Sequence, residues 1–206
     1  MDITLTQPKV CCVSDIHIGV HQNSLLWLDI TTKWAKWLRS ELEKKDIHDI
    51  IISGDFFHYR DEISVNTIHF ATEIFSIWKD FNIIMLVGNH DAYYKDRSDV
   101  NSLSILKGWS NITVISEIET EKFYGKKVCD EGMTSNNMLH KSPLTVSGHF
   151  HLREERQYDE GTILYLGNPF QMDFGDVDGI KGYYILDINT SKYKFTENTL
   201  SPKHIK

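Results

Sequence analysis

The sequence predicts an α/β domain built on a layered sheet, and three observations support this fold class. In the first half of the chain, short apolar runs alternate with longer amphipathic segments, as they do in βαβ units. In the second half, several short runs have strand character. The polar motifs of the chain fall directly after predicted strands. Because ligands bind beyond the carboxyl ends of strands in open α/β sheets, this placement also predicts the position of a site.

The first half contains three predicted buried strands, at residues 9–14, 49–53 and 82–87. Two predicted helices, at 24–44 and 63–79, lie between them and carry apolar residues at helix-like spacings. In the second helix, this spacing places Ile68, Ala71, Phe75 and Trp78 on one face. The later part has strand character at 112–115, 144–147, 162–166 and 182–188, whereas 117–142 shows no periodicity.

Composition limits the classes of protein that the chain can belong to. With 206 residues, 41% of them hydrophobic, we expect residues 1–206 to form a single domain. The net charge of −7 argues mildly against a nucleic-acid binder. Neither a signal peptide nor a membrane-length apolar run is found, so we expect an intracellular, cytoplasmic protein without membrane contact. The three cysteines do not suit a disulfide framework, and Cys11 and Cys12 are expected to be buried thiols.

Four short polar motifs carry the strongest chemical signal, and each is weak when it is taken alone. In chain order they are Asp15-Ile16-His17, Gly54-Asp55, Gly88-Asn89-His90-Asp91 and Gly148-His149-Phe150-His151. Carboxylate and imidazole ligands together suit Mn, Fe and Zn. A two-metal phosphoesterase needs a carboxylate that bridges both ions, and Asp55 is the natural candidate. His90 could donate a proton to a leaving oxygen or bond to the phosphoryl group.

This ordered motif set resembles the signature of the calcineurin-like metallophosphoesterases, and the resemblance runs from Val10 to about Ile188. It implies a layered α/β/β/α-type sandwich with the metal site at the carboxyl ends of the strands. It also implies two divalent ions, with Mn preferred and Fe, Zn or Mg as alternatives. The implied ligands are Asp15, His17, Asp55 and His151 for the first metal, and Asp55, Asn89 and His149 for the second. His90 matches the catalytic histidine, and Asp91 would orient its imidazole from behind.

Three segments resemble the branch of SbcD-type DNA-repair nucleases and the related bacteriophage recombination endonucleases. These segments are GDFFHYR, from Gly54 to Arg60, NHDAYYK, from Asn89 to Lys95, and YLGNPFQMDFGD, from Tyr165 to Asp176. In the first, His58 matches a histidine that reaches the active site. The resemblance implies a DNA exo- or endonuclease of recombination and repair, an SbcC-type ATPase partner and a candidate homodimer. Basic residues that could contact phosphate are Lys95, Arg97, Arg153 and Arg156.

The sequence departs from the family pattern in two places. The family carries one more metal-ligating histidine, on its own strand, and here only His140 lies between His90 and His149. We expect that this strand is missing near residues 127–132. A deletion, a substitute role for His140 or a second metal site that is one ligand short would each explain the difference. The DNA-capping region that follows the phosphoesterase domain in the nuclease branch is also expected to be absent.

The sequence is compatible with three functions. The first is a manganese-dependent phosphodiesterase that acts on DNA. The second is a phosphoesterase for small phosphate esters or phosphoproteins, which the acidic net charge favours. The third is a catalytically weakened module that binds metal and docks DNA or an ATPase partner.

Overall fold

The computed structural model describes residues 4–116, 122–123, 126–130, 142–177 and 179–204, which form two β-sheets and a pair of long helices. The strands of the first sheet are β1 (Lys9–Val13), β2 (Asp49–Ser53), β3 (Asn82–Leu86), β4 (Ile112–Ile115), β10 (Gly182–Asp187) and β11 (Tyr193–Glu197). The strands of the second sheet are β5 (Lys122–Phe123), β6 (Lys126–Asp130), β7 (Leu144–Gly148), β8 (Glu154–Tyr158) and β9 (Gly161–Tyr165).

In the first sheet the strand order is β11-β10-β1-β2-β3-β4, and β1 to β4 run parallel. All five residues of β2 are buried, because this strand is covered on both faces. Alternate residues point to opposite faces, so Ile50 and Ile52 pack toward the helices while Ile51 packs toward the second sheet. The predicted parallel core of the fold is confirmed.

The helices are the short turn α1 (Val20–Asn23), α2 (Leu25–Lys44) and α3 (Val65–Ile77), with 3-10 turns at Ser102–Leu106 and Phe174–Asp176. The second predicted helix starts later than expected because Ser64 is its N-cap, and its side chain accepts a hydrogen bond from Thr67 N. Of the four residues predicted to share one face of this helix, Ala71, Phe75 and Trp78 are buried. Ile68 is 40% exposed.

The second sheet has the order β5-β6-β7-β9-β8, with β6, β7 and β9 parallel. Val128, Val146 and Leu164 from this sheet share one apolar cluster with Val10 and Ile51 of the first. The two sheets are therefore packed face to face, and α2 and α3 cover the outer face of the first sheet. In the ranges that the structure describes, the layers are helix, sheet and sheet.

One expectation about the chain near residues 127–132 is wrong. A strand is not missing there, because β6 occupies Lys126–Asp130 and pairs in parallel with β7. The strands β8 and β11 were also not predicted. The predicted strand at 162–166 begins and ends one residue earlier in the structure, as β9.

All three cysteines are buried, and Cys11 and Cys12 are free thiols, as predicted. Burial raises the pKa of the Cys12 thiol to about 12, so this group stays protonated and unreactive. None of the helices in the described ranges combines the length and apolar character that a membrane span requires.

Candidate metal centre

The predicted metal ligands lie in loops that leave neighbouring strands at one edge of the sheets. Pairing between β1 and β2 continues beyond the strand ends, since Asp15 N donates to Gly54 O at 3.2 Å and His17 N donates to Asp55 O at 3.0 Å. These bonds bring the side chains together. His17 Nε2 lies 3.9 Å from Asp15 Oδ1 and 3.8 Å from Asp55 Oδ2.

The loop after β7 completes this group from the second sheet. His149 N donates to Asp15 Oδ1 at 3.1 Å, which ties the loop to the end of β1. His151 Nε2 lies 3.1 Å from His17 Nε2, and His149 Nδ1 lies 3.0 Å from Asn89 Oδ1. The structure therefore brings together all six side chains that the sequence analysis proposed as ligands.

Four of these residues have a left-handed backbone conformation, which is rare for residues other than glycine. The φ angles are 53° for Asp15, 48° for His17, 53° for Asp55 and 81° for His149. Aspartate and histidine are among the residues that tolerate this region best, yet it still costs about 1 kcal/mol or more at each position. Strain of this kind clusters at functional sites, where the surrounding hydrogen bonds hold the loops in place.

The two histidines predicted to take part in catalysis lie beside this group. The ring centroid of His90 is 4.7 Å from that of His17, and His58 Nδ1 is 3.3 Å from His17 Nδ1. His90 N donates to Asp55 Oδ1 at 2.7 Å, and His90 Nδ1 lies 2.7 Å from His58 O. Because a carbonyl oxygen can only accept, Nδ1 carries the proton, and Nε2 is the nitrogen left for a substrate.

The expectation that Asp91 orients the imidazole of His90 is wrong. Asp91 Oδ1 accepts from Phe57 N at 2.9 Å, and Oδ2 accepts from Phe56 N at 3.2 Å and Gly88 N at 3.1 Å. The fully buried carboxylate therefore fastens the loop after β3 to the loop after β2. The carbonyl of His58 orients the His90 ring instead.

The electrostatics of the site favour the neutral form of two of its carboxylates and two of its imidazoles. Burial raises the pKa of Asp15 to about 7, and burial together with the charge of Asp15 raises the pKa of Asp55 to about 7. Burial and the neighbouring imidazoles, chiefly His90, hold the pKa of His17 well below its usual value. Burial also lowers the pKa of His58 to about 4. A bound cation reverses this balance for the carboxylates and accepts neutral imidazoles as ligands.

Two observations show that these residues fit divalent metal ions. Asp15 Oδ2 is buried and has no hydrogen-bond partner among the described residues. Ligand atoms of Asp15, His17 and His151 lie within 4.8 Å of one another. An unpartnered buried carboxylate oxygen beside two imidazole nitrogens is the environment that a cation stabilises.

The other candidates named from the sequence have different surroundings. His140 lies outside the described residues. Arg97 and Arg156 pair with Asp99 and Glu154, and the guanidinium of Arg153 lies over the ring of Phe195. Of the four basic candidates, Lys95 alone makes no such contact within the described chain, and it is exposed.

Two buried charged residues beside the site were missed by the sequence analysis. Asp130 is buried at the end of β6, beside Asp15 and Asp55. Its signal was a carboxylate directly after a short apolar run, the same signal that identified Asp15. Lys181 Nζ donates to His151 O at 2.7 Å from a buried ion pair, and nothing in the local sequence indicated this contact.

Comparisons with known proteins agree with this geometry. A family model described as calcineurin-like phosphoesterase matches residues 8–191. The chain is 25% identical to exonuclease subunit 1 of Enterobacteria phage T4 over 233 residues, which covers 92% of this chain and 68% of that protein. Because 233 exceeds the 206 residues of this chain, the phage protein carries segments that this chain lacks.

Solved structures show the same fold. An archaeal phosphodiesterase superposes with a TM-score of 0.55 at 16% identity, covering 92% of this chain and 99% of that one. The nuclease MPE of Pseudomonas putida superposes with a TM-score of 0.50 at 18% identity, covering 90% and 87%. Since the family model spans residues 8–191, this chain belongs to the calcineurin-like phosphoesterase family of hydrolases that act on phosphate esters.

Proposed function

We propose that this chain is a manganese-dependent phosphodiesterase that cleaves DNA in recombination and repair, as a nuclease subunit beside an SbcC-type ATPase. The observation that carries the proposal is the meeting of carboxylate and imidazole ligands with His58 and His90 at one edge of the sheets. The likeness to a phage exonuclease subunit supports both the DNA substrate and the assembly with a partner.

The side chains divide into two proposed metal sites that share Asp55. The first site comprises Asp15, His17, Asp55 and His151, and the second comprises Asp55, Asn89 and His149. When bound, the two ions supply charge neutralisation for the phosphoryl group and an acidified water.

His90 is the proposed proton donor to the leaving sugar oxygen. The carbonyl of His58 holds the proton on Nδ1, so the protonated ring presents its second proton at Nε2. Proton transfer by a positioned histidine contributes roughly 10²- to 10⁴-fold in rate. Burial and neighbouring imidazoles lower the pKa of His58, so this residue stays neutral beside the substrate site.

The test is hydrolysis of end-labelled single- and double-stranded DNA in the presence of Mn²⁺. The parent protein is compared with Asp55→Ala and His90→Gln, and Gly108→Ala serves as a control because its added methyl group contacts nothing within 4 Å. We expect cleavage by the parent and the control, and loss of cleavage in the two site variants. Cleavage that persists in Asp55→Ala would show that the proposed centre does not carry out the reaction.

A second candidate function is hydrolysis of small phosphate esters. The net charge of −7 favours it, as do the ion pairs that already engage Arg97 and Arg156. Turnover of a chromogenic diester, a monoester and duplex DNA by the same preparation separates the two functions. Metal binding without turnover of any of the three would indicate the binding module instead.

A further inference from the structure

Asp130 is a buried carboxylate that β6 brings to the edge of the candidate metal centre. It is the last residue of this strand, and in the parallel pairing of β6 with β7 it lies opposite Gly148, which directly precedes His149. The residue is only 3% exposed. Neighbouring parallel strands end at the same edge of a sheet, so Asp130 and His149 enter the site side by side.

Three carboxylates meet at this point. Ligand oxygens of Asp15, Asp55 and Asp130 lie within 4.8 Å of one another, and all three residues are buried. Buried like charges at this separation repel one another strongly, and a cation between them converts the repulsion into attraction. Independently, Asp15 Oδ2 is buried without a hydrogen-bond partner in the described chain, and a cation would stabilise such an oxygen.

Two glycines leave the space that the Asp130 carboxylate occupies. A Cβ atom at Gly54 would lie 2.5 Å from Asp130 Oδ2, and a Cβ atom at Gly148 would lie 3.2 Å from the same oxygen. These glycines directly precede Asp55 and His149. The carboxylate therefore packs against the backbone that carries two of the proposed ligands.

We propose that Asp130 is itself a metal ligand. It would take the place of the additional metal-ligating histidine that was expected on a separate strand and was not found there in the sequence. This inference rests on the proposed metal dependence but not on the identity of the substrate. A carboxylate in place of an imidazole makes the ligand set harder and more anionic. It therefore shifts the metal preference away from Zn²⁺ and toward Mn²⁺ or Mg²⁺.

The experiment measures Mn²⁺ binding to the intact chain in the parent, Asp130→Asn and Asp130→Ala. Mn²⁺ titration by calorimetry, with metal content determined after desalting, gives affinity and stoichiometry without reference to catalysis. Asparagine retains one neutral oxygen ligand, whereas alanine removes the ligand altogether. We expect a loss of about tenfold or more in affinity for Asn, and one ion fewer per chain for Ala.

Asp49→Asn is the matched control. Asp49 is a buried carboxylate at the other end of β2, where it accepts hydrogen bonds from Thr6 and Asn82. The Asp49→Asn variant should bind Mn²⁺ with the same affinity and stoichiometry as the parent.

A stability measurement distinguishes a ligand from a carboxylate that only supports the fold. If Asp130 is a ligand, Asp130→Asn removes the repulsion between carboxylates when metal is chelated. It also removes the attraction between Asp130 and the metal when metal is bound. The urea midpoint should then rise in EDTA and fall in saturating Mn²⁺, relative to the parent.

A decrease of equal size in both conditions, or Mn²⁺ binding equal to that of the parent, would overturn the proposal. So would a parent protein that binds no Mn²⁺. Mn²⁺ binding that depends on Asp130 in a protein that cleaves neither DNA nor small esters would refute the proposed function alone.

Discussion

Gly88 allows a sharp test of how closely the loops of the metal centre are packed. It directly precedes Asn89, and its Cα faces the start of the loop that carries Asp55. A Cβ atom at Gly88 would lie 2.3 Å from both Asp55 N and Asp55 Oδ1. Ordinary contact begins at 3.4 Å, so in Gly88→Ala the loop must move by about 1 Å.

The size of the effect follows from this displacement. Overpacking in a rigid environment costs about 1–3 kcal/mol, and in a domain of this size each kcal/mol lowers Tm by roughly 2–4 °C. The displaced group is the carboxylate proposed to be shared by both metals. A misplacement of about 1 Å at a reacting centre lowers turnover by roughly 100-fold. We therefore expect a moderate loss of stability together with a large loss of activity.

The assay is steady-state hydrolysis of a chromogenic phosphodiester with Mn²⁺, combined with thermal denaturation of the same preparations. Gly108→Ala is the matched control, because the same methyl group there meets open space. If Gly88→Ala kept its turnover within about threefold of the parent, the argument from close packing would be refuted.

Three further predictions concern metal binding, a buried ion pair and a helix cap. Mn²⁺ at 1,000 times its Kd should raise the unfolding free energy by about 4 kcal/mol over the value in EDTA, as measured by urea denaturation. Lys181→Met leaves the buried carboxylate of Asp176 unpaired and should lower the unfolding free energy by about 3–5 kcal/mol, whereas Lys203→Met, in an exposed pair, should stay close to the parent. Ser64→Ala should lower the unfolding free energy by about 1 kcal/mol, and Ser24→Ala should not, because the Ser64 side chain accepts a hydrogen bond from Thr67 N whereas the Ser24 side chain makes no cap hydrogen bond.

The parallel core of the first sheet could be predicted from the sequence because its strands are covered on both faces. A strand of this kind is a continuous apolar run, and β2 matches the predicted bounds at 49–53. Helix ends were less predictable, since they depend on which side chain caps the backbone. The same reasoning identified the six proposed ligands, because loops that follow parallel strands converge at one edge.

The second sheet was predicted less completely, for a physical reason. The strand β8 has the sequence EERQY and is largely exposed, so its conformation depends on antiparallel pairing with β9 and not on an apolar pattern. The strand β6 lies within a stretch that shows no periodicity, and its sequence, KKVCD, has only two apolar residues. Its terminal residue, Asp130, was overlooked because the strand there was expected to be missing.

The local sequence did not predict which groups form hydrogen bonds with the buried polar side chains. The family resemblance implied that Asp91, which follows His90 directly, orients the imidazole ring. In the structure the backbone turns Asp91 inward to three amide donors, and the carbonyl of His58, 32 residues away, bonds to the ring. Such partners are set by the packing of two loops against each other, which requires the tertiary structure.

The folded chain tolerates two unfavourable features at the same edge. Asp15 and Asp55 combine left-handed backbones with carboxylates whose pKa burial raises to about 7. Neither feature stabilises the fold, and both persist because hydrogen bonds between the loops after β1 and β2 hold the chain in place. A cation stabilises the ionised form of these carboxylates, so the free energy of metal binding should appear in part as added stability of the folded chain.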